Sequence, residues 1–155
     1  MMRTRTLKGR IKEQRGAAAV EFALVSVLLF MVLFGIIVWG QVFSELEVLN
    51  GAAREGARLA AVGDPTNSTV ANVQTRVRSA AAPYTLTASP TVTVKTAAGA
   101  SASQDPPCQN GTTAGTTDTS QGEITVSWVQ SIPINIPLFP SITRNVTISA
   151  VFTCE

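Results

Sequence analysis

The stretch from Phe22 to Phe43 contains no charged residue, and it constrains the fold more than any other part of the sequence. Ser26 and Gln41 are its only polar side chains. As a helix rising about 1.5 Å per residue, it would be about 33 Å long, which matches a membrane hydrocarbon core of about 30 Å. A buried core helix would have a polar face, which this run lacks. We therefore predict a transmembrane helix over residues 17–43.

A secretory signal peptide is the main alternative for an apolar segment so close to the N-terminus. The apolar region of a signal peptide is usually about 7–15 residues long and ends at a small-residue cleavage site. This run is longer, and it is followed by Phe43, Glu45, Leu46 and Glu47. These features favour a membrane span.

The charges that flank the span predict its orientation. Six basic residues precede Glu21, against one acid, Glu13. Basic flanks remain on the cytoplasmic side of a membrane, so the remainder of the chain should lie outside the cytoplasm. The only two cysteines, Cys108 and Cys154, belong to that exported part, where disulfides form and persist. We predict that they are bonded to each other, with two unrelated thiols as the alternative.

The helix should extend beyond the membrane over residues 44–62, because Ala, Leu, Glu and Arg are good helix formers. Glu55 and Arg58 are three residues apart and can pair on its surface. A narrow stripe of small residues at four-residue spacing is formed by Ala53, Ala57 and Ala61. Such a stripe lets another helix approach closely, and the alternative is an alanine-rich helix without a partner. Gly63 and Pro65 should end the helix.

Residues 63–155 are predicted to form an α+β domain outside the membrane. Valines and alanines at helical spacing predict a second short helix, which begins at Asn67 or Ser68 as its N-terminal cap and ends before Pro83. The spacing of apolar residues then changes to two, which predicts an antiparallel sheet of about three strands packed on a helix, centred on Val92–Val94, Ile124–Trp128 and Val146–Phe152. The segment Tyr84–Ala88 is a candidate for a short fourth strand.

Two connections interrupt this sheet. Residues 97–122 are a low-complexity stretch of small and polar residues, which we expect to be mobile apart from a tether at Cys108. Residues 131–141 alternate isoleucines with prolines, and the prolines argue against a central strand. Packing across the edge of the sheet is favoured for this segment over a docking surface.

The composition disfavours catalysis. The chain contains no histidine, which excludes Ser-His and Cys-His nucleophile pairs and a histidine general base. Two cysteines without histidine cannot supply an ordinary zinc site. No Gly-rich phosphate motif is present, and the net charge of +2 originates in the N-terminal tail. We therefore expect no enzymatic activity, no metal or other cofactor, and no nucleic-acid partner.

The junction before the span is the most informative motif, and it reads Arg15-Gly16-Ala17-Ala18-Ala19-Val20-Glu21-Phe22. Glu21 is unusual because a charged side chain near the membrane centre costs about 2.5–3.5 kcal/mol, although an interfacial carboxylate could reach back to water. Gly16, four further residues and then Glu21-Phe22 at the start of an apolar helix resemble the processing site of type IV prepilins.

Together with the segment Ala52–Arg58, this junction resembles the TadE-like family more closely. That family comprises minor, pilin-like components of Tad (Flp) pili. The main subunit of those pili usually has tyrosine after the glutamate and almost no domain after its helix. Phe22 and the long C-terminal part therefore fit the minor proteins better. The resemblance is strong over residues 15–62 and covers only the general layout beyond them.

The resemblance implies a role for each residue of the junction. Residues 1–16 would be a leader, and a prepilin peptidase would cut the Gly16–Ala17 bond on the cytoplasmic side. Glu21, followed by Phe22, would act in assembly by neutralising an N-terminal amine in the packed helices.

The resemblance also implies partners and a location. The implied partners are membrane lipid, the peptidase, other pilin-like subunits (the major Flp pilin and a TadF-like protein) and the inner-membrane assembly platform. The implied location is the bacterial cytoplasmic membrane, with or without incorporation into a pilus. The alternatives are an uncleaved, membrane-anchored binding module and, less favoured without histidine, an exported enzyme.

Overall fold

The computed structural model describes residues 10–109, 117–136 and 140–155, with side chains from Gly16 onward. These residues form two helices and one four-stranded sheet: α1 (Arg10–Ala61), α2 (Val70–Ala80), β1 (Thr91–Lys95), β2 (Ser101–Ala102), β3 (Glu123–Ile134) and β4 (Ile142–Thr153). The predicted α+β architecture is therefore confirmed: a long apolar helix, a second short helix and an antiparallel sheet.

Helix α1 contains 52 residues and is therefore about 78 Å long. The large apolar side chains between Val20 and Phe43 are exposed except for the half-buried Val38 and Val42, and none of the most apolar part of the helix is buried within the chain. This segment is therefore not the core helix of the domain. Within the described ranges, α1 is the one helix long and apolar enough to cross a membrane, and the chain fits a single-pass membrane protein.

The end of α1 lies against the C-terminus of the chain. The backbone N–H of Glu155 donates to the carbonyl oxygen of Ala61 over 3.1 Å. Gly63 follows with a φ angle of +67°, and a Cβ atom at this position would lie 2.5 Å from the carbonyl oxygen of Cys108. Only glycine meets both conditions without strain, since it adopts positive φ freely and has no side chain. The predicted helix stop is confirmed.

Helix α2 is capped by Thr69, whose Oγ1 accepts a hydrogen bond from the N–H of Asn72 over 3.3 Å. The prediction of Asn67 or Ser68 as the cap is therefore wrong. Both belong to the preceding turn: the Asn67 side chain donates to the Asp64 carboxylate, and the buried Ser68 donates its N–H to the Asp64 carbonyl. The hydrogen bond from the Asn67 side chain, with others from backbone N–H groups, holds the pKa of the Asp64 carboxyl below its ordinary value.

The sheet has the strand order β2-β1-β3-β4 and is antiparallel throughout. Strands β3 and β4 pair over their full length, from Glu123 opposite Thr153 to Ile134 opposite Ile142. One face packs against the outer part of α1 and shares one buried core with α2. Its buried side chains are Val94, Ile124, Val126, Trp128, Ile148 and Ala150. The predicted alternation of buried and exposed residues is confirmed in β3.

The sheet has four strands rather than the predicted three, because β2 lies inside the predicted low-complexity loop. Residues 110–116 of that loop lie outside the described part of the chain. The buried Thr119, which follows these residues, joins the two ends of the gap. Its Oγ1 atom accepts from the N–H of Gln109 over 2.8 Å and donates to the carbonyl oxygen of Pro107 over 2.9 Å. Hydrogen bonds order these ends, although the segment buries few apolar side chains.

The predicted strand at Tyr84–Ala88 is not formed. Thr87 lies beside β3, but its side chain replaces strand pairing: Oγ1 donates to the carbonyl oxygen of Val129 over 3.1 Å and accepts from the N–H of Ser131 over 3.0 Å. Thr87 occupies the edge of β3 that β1 leaves unpaired, since β1 pairs only with residues 123–127 of β3.

Pro133 lies within β3, so residues 131–134 belong to a strand rather than to the predicted connection, but β3 has no neighbouring strand on one side there. Successive residues of a strand direct their N–H groups to alternate sides, so Pro133 and Ser131 face the same side. The N–H of Ser131 points away from β4, toward Thr87. The missing donor of Pro133 therefore lies on an unpaired edge. Ile132 is buried, which agrees with packing, and residues 137–139 lie outside the described ranges.

Candidate assembly helix and its docking on the domain

Helix α1 has two halves that differ in what covers them. Most side chains of the apolar half, Gly16–Phe43, are exposed, and Val38 and Val42 near its outer end are half-buried. The docked half, Leu49–Ala61, buries one face against the domain, and its buried residues are spaced three and four apart: Leu49, Ala52, Ala53, Gly56, Ala57, Ala60 and Ala61. That spacing defines one side of a helix.

Helix α2 crosses the docked half at Gly56. A Cβ atom there would overlap Cγ2 of Val77 and lie 3.6 Å from Cγ1 of Val73, and both valines are fully buried. The absence of a side chain at Gly56 therefore sets how closely the two helices approach. The alanine stripe that includes Ala53 and Ala57 is buried in the same core, against elements of this chain.

We expect Gly56→Ala to destabilise the protein and Gly51→Ala to stabilise it, although both substitutions improve helix propensity. The added methyl at Gly56 must displace Val77, and overpacking of this kind costs about 1–3 kcal/mol. Gly51 has no atom within 4 Å of the added methyl, so it should show only the propensity gain of up to about 1 kcal/mol.

Denaturation of the detergent-solubilised variants measures both effects, and Gly51 controls for helix propensity. Equal stability of the two variants would mean that α2 does not pack at Gly56 in solution.

Glu55 joins the two helices through Arg76 of α2. Its Oε1 accepts from Nε and Nη2 of Arg76 over 3.1 and 2.6 Å. Glu55 therefore pairs with Arg76 rather than with Arg58. The hydrogen bond and charge of Arg76 hold the pKa of Glu55 below its ordinary value, with a smaller contribution from Arg58. This contribution to stability is lost as the pH falls through that lowered pKa, and for so exposed a pair it is at most about 1 kcal/mol.

Gln130 links α1 to the sheet, and sequence reasoning did not identify it. It is buried on the inner face of β3, where its Nε2 donates to the carbonyl oxygen of Thr85 over 3.1 Å and to Glu45 of α1 over 3.4 Å. Its Oε1 accepts from the N–H of Thr87 over 3.2 Å. Its position in the strand could have identified it, because Gln130 continues the series Ile124, Val126 and Trp128, in which every second residue points toward the core.

The junction residues lie on the exposed surface of α1. No atom comes within 4 Å of a Cβ placed on Gly16, and the side chain of Phe22 is 75% exposed. Ala17 and Glu21 are four residues apart, so they lie on the same face one turn apart. Glu21 forms no hydrogen bond or ion pair with the side chains that the structure describes. The fold therefore presents these residues together, away from the domain.

The disulfide lies at the opposite end of the molecule. Cys108 and Cys154 are bonded, with their Cα atoms 5.6 Å apart, and both are buried. The predicted pairing is confirmed. Because Gly63 packs on the carbonyl of Cys108, the bond ties the end of β4 to the end of α1.

Residues 16–58 match the family model described as TadE-like protein. The chain carries a TadE-like segment. The match begins at Gly16 and ends three residues before the end of α1, so it spans the apolar half and most of the docked half. The predicted resemblance is thereby confirmed for this helix. No curated protein and no solved structure gives a significant match to the chain.

Within the TadE-like segment, residues 52–58 are a packing motif. Its small residues are buried where α2 and the sheet approach: Ala52, Ala53, Gly56 and Ala57. Its arginines Arg54 and Arg58 are exposed, and Glu55 reaches across to α2. The motif therefore attaches the folded domain to the helix, and the apolar half remains free for other contacts.

Proposed function

We propose that this protein is a non-enzymatic, pilin-like component of a Tad (Flp) pilus assembly system, anchored in the bacterial cytoplasmic membrane by α1. The observation that carries the proposal is the coincidence of the TadE-like match with a helix whose apolar half is uncovered. An apolar surface of this size needs lipid or other helices around it. A pilin-like subunit uses both in turn, lipid before assembly and neighbouring helices afterwards.

The proposed processing site is the Gly16–Ala17 bond. Helix α1 continues through this bond without a break, and Gly16 and Ala17 are exposed among the residues that the structure describes, so the fold leaves the bond accessible. Cutting by a prepilin peptidase would leave Ala17 as the new N-terminus, with its amine one helical turn from the carboxylate of Glu21. In an apolar helix bundle, such a charge pair favours one register over others.

The proposed partners follow from the two halves of α1. The apolar half would contact lipid, the peptidase, and the helices of other pilin-like subunits, including the major Flp pilin and a TadF-like protein. The domain, which packs on the docked half, would lie outside the cytoplasm and position the subunit at the assembly platform. The basic residues before Gly16 support this orientation.

The mass of the mature protein tests the proposal. The wild-type chain, expressed in a bacterium that has a prepilin peptidase, should begin at Ala17. Gly16→Val should retain the leader, because it adds a branched side chain at the bond to be cut. Intact-mass measurement and N-terminal sequencing of the purified membrane fraction distinguish the two forms.

Gly35→Val is the matched control, since Gly35 also lies in the apolar half with no atom near an added Cβ. This variant should be processed like the wild type. A wild-type protein that keeps its leader in the presence of the peptidase would contradict the proposal and favour an uncleaved, membrane-anchored binding module.

A further inference from the structure

The ends of β3 and β4 that lie farthest from the disulfide lie beside the outer end of the apolar half of α1. We call these ends the tip, formed by Ile132–Ile136 and Ile142–Arg144. A groove of about 380 Å³ separates the tip from α1, and its lining includes Trp39 and Val42 of the helix together with residues of the tip. A second groove brings Val38 close to Pro133 and Asn135.

Val38, Trp39 and Val42, which share these grooves with the tip, place it beside the outer end of the apolar run. Trp39 lies four residues before Phe43, the last residue of the run, and this separation corresponds to about 6 Å along the helix. A hydrocarbon core of about 30 Å accommodates about 20 helical residues, so a helix that crosses it from Phe22 has Trp39–Phe43 at the interface on the domain side. A tip that lines one groove together with Trp39 and Val42 lies at the level of that interface.

The chemistry of the tip suits the headgroup region. Ile142 is 50% exposed, and Ile134 and Ile136 are half-buried. Arg144 is the only charged residue between Glu123 and Glu155 and is exposed where it lines the groove, so it can pair with a lipid phosphate. The pairing of β3 with β4 continues to Ile134 opposite Ile142, which satisfies the backbone groups between the two strands, and the headgroup region is polar enough to solvate those on the outer edges.

We propose that the tip is inserted into the lipid headgroup region of the same membrane that α1 crosses, on the side of the folded domain. The domain would then hold the membrane at two points, and its tilt relative to α1 would be set before any assembly. The occupant of the groove is lipid, because the groove is continuous with the lipid-facing surface of α1. This inference rests on the membrane span of the proposed function.

Tryptophan fluorescence of the full chain in phosphatidylglycerol-containing vesicles tests this insertion. Both native tryptophans are first replaced, as Trp39→Phe and Trp128→Phe. In this background, the tryptophan of Ile142→Trp should emit at a shorter wavelength than that of Val151→Trp in the same vesicles, and lipids brominated near the headgroup should quench it. Val151→Trp is the matched control, since Val151 lies on the same strand and is also 50% exposed, but it is at the far end. It should be neither shifted nor quenched. Far-UV circular dichroism and resistance of the domain to limited proteolysis confirm that each variant has folded.

A Trp128→Phe variant that keeps Trp39 separates the two possible failures. Quenching of Trp39 together with equal emission at positions 142 and 151 would overturn the tip insertion and leave the membrane span intact. Absence of quenching at Trp39 would overturn the span, and the tip insertion with it. Quenching at positions 39 and 142 but not at 151 supports the proposal.

Discussion

Replacing Glu21 with glutamine is expected to leave the protein in the membrane and to block its assembly. In the proposed mature protein, the carboxylate of Glu21 pairs with the amine of Ala17 on its own or a neighbouring helix. Removing one member of a charge pair buried in an apolar setting costs about 3–5 kcal/mol, because the other charge is left uncompensated. That cost corresponds to an assembly equilibrium weaker by about a hundredfold or more.

The measurement is the amount of sheared pili from a strain whose piliation depends on this protein, beside the amount of the variant in the membrane fraction. Glu47→Gln is the matched control, since Glu47 is also an exposed carboxylate on α1 but lies beyond the apolar run. It should assemble normally. Normal piliation by Glu21→Gln would refute the assembly role of this carboxylate while leaving the processing site untouched.

Loss of the disulfide is expected to destabilise the folded domain by about 4 kcal/mol. The bond closes a loop with a sequence separation of 46 residues, and in the chain-entropy model a loop of this size restricts the unfolded chain by about that amount. Unfolding of the Cys108→Ser, Cys154→Ser double variant in detergent, followed by near-UV circular dichroism, gives the free energy of unfolding relative to the wild type.

Wild-type protein treated with a reductant is the second arm, because it removes the bond without changing the two residues to serine. Both arms should lose similar stability. A loss below about 1 kcal/mol would mean that the contacts of Gly63 and of the Glu155 N–H already hold the end of β4 in place. Processing at Gly16 should not change in either arm, since the disulfide lies at the other end of α1.

The features predicted correctly from the sequence depend on residues that are close together in the chain. The apolar run, the stop at Gly63 and the alternation in β3 each follow from a local spacing or a local conformational requirement. The junction at Gly16–Phe22 is likewise a contiguous motif, and the resemblance it carries is confirmed over residues 16–58. The disulfide is the exception, and it could be predicted because the chain has only two cysteines.

The features that were missed depend on which elements meet. Glu55 has a potential partner three residues away, yet it binds Arg76, because the close approach of α2 at Gly56 places a second guanidinium beside it. The N-terminal cap of α2 is Thr69 because Asn67 and Ser68, the two residues before Thr69, form hydrogen bonds with Asp64 instead. Pro133 is tolerated in β3 because β1 is too short to reach it.

The sequence by itself determined that the chain has an uncharged, membrane-length helix preceded by a pilin-like junction, because charge, length and local spacing are readable without a fold. Tertiary structure alone decided how that helix is used. Small residues of the docked half are covered by α2 and the sheet, since only they allow such a close approach. Most of the apolar half stays exposed. Val38 and Val42 near its outer end are half-buried, because the pairing of β3 with β4 carries the tip alongside that end.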